Sequence, residues 1–583
     1  MLAAICLAGL PAASVAAPQR TETIVRSKAP DAKSVIESYV SIRAPLPASA
    51  PPHPAACDRL GYLRFRPRVA QRRPAARRRS RARRAPALTG QRRAQAVPKP
   101  STADAVVVAM PGFLGGAASF DQVARNVVTS ASKNGRKVEF WALDRRANCL
   151  EDHHGVRAAA AARDPNLAVR YYFLGEEVAG RRYAGFRTSD EVPYLDGFGL
   201  ERTVRDWRTI LTREIPSASA RRRKLVCGGH SLGGPLTAAL AGWDFDGNPA
   251  TTADAGHRLC GGFFGLDTSL SLRPSQSGAP GISGAVNLLL AVGGQGRFIN
   301  APPATPQSIQ LLAPSGIAAF QKPQEEATLL QLVPRTPELE LAFRVIFARN
   351  PAEFATGIPN VREFRVRNEV LIGAVFDDNS SAISIFRSSV GTFDGAPVQD
   401  KDFPLPSVFA GFSGDNRLMA PALPNGPLYG WRNYDRVGVG APIQTDRTGQ
   451  PYTSRASEVS SLRQLARAMY EAPADLTEQY FPTRLMTDVA SAQSGDRSGS
   501  LANLRYEGVK LTPSLLIQGG DGVGEILAAG SDGGADRLVT LPGYDHLDVT
   551  TAAARQNNGR REGSSGALAD LVARALARSS RRR

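Results

Sequence analysis

Ser231 lies in Gly229-His230-Ser231-Leu232-Gly233, between the apolar run Leu225-Val226-Cys227 and the helix-like stretch Leu236-Thr237-Ala238-Ala239-Leu240. A serine at the apex of a strand, sharp turn and helix adopts a left-handed backbone, and the residues two before and two after are glycine because a Cβ would collide across the bend. Such a turn lifts the hydroxyl toward both substrate and base. The pattern alone says little in a chain of 55 glycines. The strand before it and the helix after it give it the context of a nucleophile.

A serine hydroxyl is a weak nucleophile at neutral pH and needs a neighbouring base, for which imidazole is suited. The chain has six histidines. His53 sits in a Pro-rich stretch, His153 and His154 follow an apolar strand, His230 is inside the turn with its side chain directed away from Ser231, and His257 precedes a strand. His546, in Pro542-Gly543-Tyr544-Asp545-His546-Leu547-Asp548-Val549, follows the last strand. Its loop can hang over the carboxyl end of a parallel sheet, where open α/β folds place ligands. A carboxylate must hold the imidazole tautomer. Asp521, reached from Leu515-Leu516-Ile517 through Gly519-Gly520, is favoured; Asp267, ending an earlier strand, is the alternative, since an aspartate there is often only a structural cap. A developing oxyanion needs preorganised donors. The loop Met110-Pro111-Gly112-Phe113-Leu114-Gly115-Gly116 and the turn supply the backbone amides of Phe113 and Leu232.

These residues need a scaffold, and strands and helices alternate from Ala103 onward. Ala105–Met110 reads as a buried strand, Phe120 to Thr129 as a helix and Val138–Leu143 as the next strand. Leu200, Val204, Trp207 and Leu211 fall at helical spacing before the Ser231 strand, and Leu259–Asp267 reads as a further strand. Strands return at 513–518 and 537–541, and a terminal helix carries Leu568, Leu571, Val572 and Ala575. The alternation predicts an α/β domain with a mainly parallel sheet. Between Thr268 and about Tyr506 it breaks down into a large insertion.

The order of the Pro111-Gly112-Phe113 loop, the Ser231 turn, Asp521 and His546 resembles the α/β-hydrolase superfamily, of the secreted bacterial lipase and esterase kind. The resemblance covers about 101–267 and 506–583. It implies an eight-stranded, mostly parallel sheet with helices on both faces and a cap or lid between strands. It also implies a serine hydrolase of small-molecule or lipid esters that uses an acyl-enzyme and needs neither cofactor nor metal. Two departures matter: Met110-Pro111 stands where many relatives have His-Gly, and the insertion exceeds a usual cap. Substrate class is therefore not inherited. An acyltransferase or amidase on the same fold, and a non-catalytic binding protein, are the competing expectations.

The net charge of +19 is concentrated, since residues 60–100 hold 13 arginines and Lys99 with no acidic residue. Asp58–Arg66 alternates like a strand able to pair with the edge of the following domain, while the stretch as a whole is too poor in apolar residues to order itself. It reads as a solvated segment able to touch an anionic surface, not as a sequence-specific nucleic-acid module. Met1 to Ala17 reads as an export signal, although it lacks a positive n-region, and no stretch is long and apolar enough for a transmembrane anchor. The expected organisation is thus 1–17 signal, 18–100 disordered, 101–267 and 506–583 core, and 268–505 cap.

After signal removal four cysteines remain. Cys57 and Cys149 are the expected pair, while Cys227 and Cys260 read as buried small hydrophobes. Asp144-Arg145-Arg146, Glu151-Asp152 and His153-His154 read as an ion-pair cluster. Asp244 and Asp246 begin like a calcium loop that lacks its closing glutamate.

Overall fold

The computed structural model describes residues 19–68, 102–272, 296–402, 417–524 and 534–581. The expected signal segment and most of the Arg-rich tract lie outside them. Among the described residues nine strands form one sheet: β1 (Arg20–Ile24), β2 (Val35–Arg43), β3 (Arg59–Pro67), β4 (Ala105–Met110), β5 (Val138–Asp144), β6 (Leu225–His230), β7 (Gly262–Leu266), β12 (Ser514–Gly519) and β13 (Leu538–Leu541), in the order β1-β2-β3-β5-β4-β6-β7-β12-β13. From β5 to β13 all neighbours are parallel. Every residue of β4, β5, β6 and β7 is buried, as expected of strands covered on both faces by crossover helices. On one face lie helices Leu200–Glu214 and Gly233–Gly242, and on the other lie Asp121–Lys133 and Gly563–Arg581, each set with its own apolar core. The sheet order, the crossovers and the strand-turn-helix at Ser231 make this an α/β-hydrolase fold.

Residues 19–57 depart from the expected disorder, while the strand expected at 58–66 pairs with the edge of the core sheet. Residues 19–68 form three antiparallel strands, and β3 pairs with β5 from Gly61↔Asp144 to Phe65↔Phe140. The alternation in Val35-Ile36-Glu37-Ser38-Tyr39-Val40-Ser41-Ile42 is that of a half-buried strand, and its signal is diluted by Pro- and Arg-rich neighbours. Buried charges lock the extension in place. Arg64 pairs with Glu139 at 2.7 Å, and Arg125 meets Asp121, Asp31 and Glu37 together. Arg467 of helix Leu462–Ala468 joins the same group through Asp121 and Glu471. Removing one partner from such a network strands a buried charge, at a cost of about 3–5 kcal/mol.

The insertion builds its own core around Ile372, Phe393, Trp431 and Met469. It carries two small antiparallel pairs, β8 (Gly391–Asp394) with β11 (Gly430–Asn433) and β9 (Val398–Asp400) with β10 (Met419–Pro421). Its last part returns to the main body: Phe481, Leu485, Met486 and Val489 are buried in the same core as Trp207 and Leu236. Two disulfides are present, the expected Cys57–Cys149 and also Cys227–Cys260. The second replaces the reading of two free buried thiols. Cys227 on β6 and Cys260 just before β7 are brought together because those strands are neighbours.

Candidate active site

Ser231 follows β6 with φ +53°, the left-handed conformation that a nucleophile-bearing turn imposes on a non-glycine residue. Its N–H continues the β6–β7 ladder to Leu266 O at 3.0 Å, and its carbonyl accepts from Thr268 Oγ1. A Cβ on Gly233 would strike the Met110 carbonyl of the neighbouring strand, so glycine is required where helix and sheet come closest. The strain is held by hydrogen bonds on both sides of the turn.

His546 Nδ1 donates to Asp267 Oδ2 at 2.6 Å, and both side chains are buried, with exposures of 2% and 0%. Asp267 itself has φ +45°, which swings its carboxylate off the end of β7 and toward the next loop. There Oδ1 accepts from the Gly519 N–H and Oδ2 from the Val523 N–H, each at 2.9 Å. Gly522 lies so close that a Cβ would stand 2.5 Å from the Asp267 oxygens. The loop after β12 therefore wraps the carboxylate of β7, and the carboxylate that meets His546 Nδ1 is that of Asp267, not the favoured Asp521. The Asp521 residue is exposed, and its backbone N–H donates to Tyr544 O at 3.0 Å. It braces the histidine loop through the main chain while Asp267 holds the imidazole.

His230, the second residue of the turn, faces away from Ser231 and toward the base. Its Nε2 donates to the His546 carbonyl at 2.9 Å, and the two rings stack at 4.5 Å between centroids. Burial and the neighbouring His546 push its pKa down to about 3, so it is a neutral donor at physiological pH. The nucleophile's strand and the base's loop are thereby fastened to each other. Sequence reading set His230 aside; its scarcity as a buried polar group inside the turn was the available signal.

Gly112 packs against Ser231, where an added Cβ would stand 3.3 Å from the hydroxyl oxygen, so its neighbour Phe113 lies beside the turn, and neither the Phe113 nor the Leu232 amide has an acceptor among the described residues. Arg145 fixes the loop that carries Phe113. Its guanidinium donates to Pro111 O at 2.6 Å, Gly112 O at 2.8 Å and Gly115 O at 2.7 Å, and it pairs with Glu478. Gly115 N–H closes the turn onto Gly112 O at 3.1 Å, so the loop around Phe113 is held from both sides. The loop also pairs with the end of the insertion, Gly116 N–H to Leu476 O and Glu478 N–H to Leu114 O, both at 2.8 Å. Arg145 belonged to the charged cluster expected to be ion pairs, and Arg146 fits that reading, with both oxygens of Asp206 as acceptors. The Ser231 hydroxyl has no hydrogen bond among the described residues; nucleophile–base contacts are often loose outside the Michaelis complex.

His153 donates to Pro473 O and His154 to Val178 O, so neither competes as the base. Buried Asp244 gathers with exposed Asp246 and half-buried Asp254, and Asp244 lies 3.5 Å from Arg505. An apolar cavity of about 100 Å³ runs through the insertion between Phe343, Phe347, Leu371 and Phe386 and ends against Leu114 and Thr477, next to the oxyanion loop.

No family model matches the chain. No curated protein matches it either. Among solved structures, the peroxisomal α/β-hydrolase Lpx1 of Saccharomyces cerevisiae is 12% identical, with a TM-score of 0.30, over 94% of this chain and 89% of that one. A lipase in its open form is 11% identical, with a TM-score of 0.28, over 96% and 99%. A laboratory-evolved potato epoxide hydrolase is 13% identical, with a TM-score of 0.28, over 77% and 88%. Likenesses this weak add nothing to the assignment of fold, which rests on the sheet order and the turn.

Proposed function

We propose that the protein is a serine hydrolase that cleaves carboxylic esters through an acyl-enzyme. Ser231 Oγ attacks the ester carbonyl while His546 Nε2 takes its proton, and Asp267 stabilises the imidazolium that forms. The Phe113 and Leu232 amides receive the oxyanion. The imidazolium then protonates the departing alcohol, a water deprotonated by His546 attacks the acyl-serine, and Ser231 is regenerated. The observation that carries this reading is the buried 2.6 Å Asp267–His546 contact, on a loop that His230 ties to the nucleophile's own strand. The apolar cavity ending at Leu114 supports an apolar acyl group over a charged one.

Two disulfides support an oxidising compartment, in line with an exported protein. The Arg-rich tract would then meet anionic surface groups there. Fluorophosphonate labelling of the purified protein, followed by peptide mass spectrometry, tests the reading. An adduct on the Ser231 peptide that is lost in His546→Ala supports an armed serine. A folded protein that takes no label would refute it and favour a binding protein on the same scaffold.

A further inference from the structure

Three carboxylates of the insertion, Asp377, Asp378 and Glu458, converge so that one oxygen of each lies within 4.8 Å of the other two. Asp377 and Glu458 have no exposed surface. Their hydrogen bonds serve only one side of each group. Asp377 Oδ2 accepts from Asn379 N–H and Ser380 Oγ at 3.1 Å, and Glu458 Oε1 accepts from Thr453 Oγ1 at 2.6 Å. Asp377 Oδ1, Asp378 Oδ1 and Glu458 Oε2 are buried and find no donor among the described residues, and neither does Asn379 Oδ1. Buried acceptors left in this state are rare in folded proteins, and several together call for an ion.

The neighbouring side chains add to this convergence. Asp545 and Asp548 stand beside the same group, as their mutual effects with Asp378 show, which makes five acidic side chains. Arg387 is the cation that faces Asp378 and Asp545, while Lys401 reaches the Ser380 and Ile346 carbonyls. Acidic side chains thus crowd this part of the interior around the three orphaned oxygens. Asp377 also ends the helix Val370–Phe376, where the carbonyl end of the helix disfavours a further negative charge.

We infer that Asp377, Asp378 and Glu458 bind a calcium ion. Oxygen ligands about 2.3–2.6 Å from a common centre lie no more than about 5 Å apart, which matches the convergence here. The set holds no thiolate or imidazole, so it suits a hard cation. Calcium accepts an irregular, carboxylate-rich shell, whereas magnesium keeps most of its water. The ion would join two segments that clasp the histidine loop. Asp548 accepts from Ser388 Oγ at 2.7 Å, Ser389 Oγ at 2.8 Å and Ser460 Oγ at 2.5 Å, and Leu547 N–H donates to Arg387 O at 3.0 Å. Asp377 and Asp378 begin the first of those segments and Glu458 precedes Ser460 in the second. Calcium thus braces His546 from behind, whatever substrate Ser231 serves.

The test uses the full-length protein dialysed against EGTA and then titrated with CaCl2, followed by calorimetry and by thermal unfolding. One bound ion at these residues and a saturable rise in Tm of a few degrees are expected, with MgCl2 at least tenfold weaker. Glu458→Gln and Asp377→Asn abolish the calcium response and, because each relieves repulsion, unfold in EGTA no lower than the wild type. Asp246→Asn, at the surface group, leaves the response intact. A wild type indifferent to calcium, a response that survives E458Q, or one that D246N removes would each overturn the site. An equal response to magnesium would overturn the choice of calcium.

Discussion

Replacing Asp267 by asparagine tests the candidate triad at its most buried joint. The side chain keeps its shape and can still accept from Gly519 N–H, but it loses the charge that faces His546 Nδ1 at 2.6 Å. The amide nitrogen placed against Nδ1 favours the tautomer with its proton on Nε2, which cannot accept from Ser231, and the imidazolium loses its counter-charge. In the Ser-His-Asp template this substitution lowers kcat about 10^4-fold, which corresponds to about 5.4 kcal/mol of transition-state stabilisation. The same magnitude is expected here because both groups are shielded from water. Asp521→Asn, at an exposed side chain, is expected to change kcat less than about threefold. The assay is steady-state hydrolysis of p-nitrophenyl esters of graded acyl length, with circular dichroism and Tm to confirm folding. A D267N enzyme within tenfold of wild type, or a D521N enzyme down by a thousandfold, would refute the assignment of Asp267.

Ser231→Ala should abolish hydrolysis and fluorophosphonate labelling while Tm holds or rises, since a strained residue is relieved of nothing essential to the fold; loss of the folded state would count against a purely catalytic role. Arg145→Lys can bond only part of the three carbonyls now held, so kcat should fall about 10^2-fold with KM nearly constant, and a KM effect alone would mean that Arg145 acts on binding. His230 binds no proton in the folded state until about pH 3 but does so at 6.5 when unfolded, so it contributes stability fully present above 6.5 and lost as pH falls toward 3. That window corresponds to about 5 kcal/mol, and His230→Asn should flatten the pH dependence of ΔG between pH 6.5 and 4; an unchanged slope would contradict the buried neutral imidazole. Ser substitutions of Cys57 and Cys149 open a loop spanning 92 positions, worth about 4–5 kcal/mol in the chain-entropy treatment, which chemical denaturation reads directly.

Ser231 and His546 are legible in the sequence because each is singular: one turn has the right flanks, and one histidine follows the last strand. Sequence reading favours Asp521 over Asp267, whereas it is Asp267 that contacts His546. Both follow strands, and the choice depends on a backbone φ of +45° and on the loop after β12 folding around β7, features of three-dimensional neighbours rather than of either local segment. The same limit hid Cys227–Cys260, since strand adjacency decides it. β1 and β2 were missed for a compositional reason: strands that draw stability from buried ion pairs, such as Glu22 with Arg64 and Glu37 with Arg125, read as polar and therefore as unfolded. Arg145 carries no motif at all, because its role is defined by three main-chain carbonyls.

The pairing of the oxyanion loop with residues 476–478 has a consequence for anyone who would re-engineer the substrate range. Those residues lie in the last part of the cap, and they hydrogen-bond to Leu114 and Gly116 and supply the carboxylate that anchors Arg145. The cap is not an exchangeable module seated on a finished catalytic platform. A chimera that trades residues 268–505 for another protein's lid would remove one wall of the oxyanion pocket along with the acyl cavity. Grafts that keep the chain from about Asp475 onward should spare turnover and alter only selectivity.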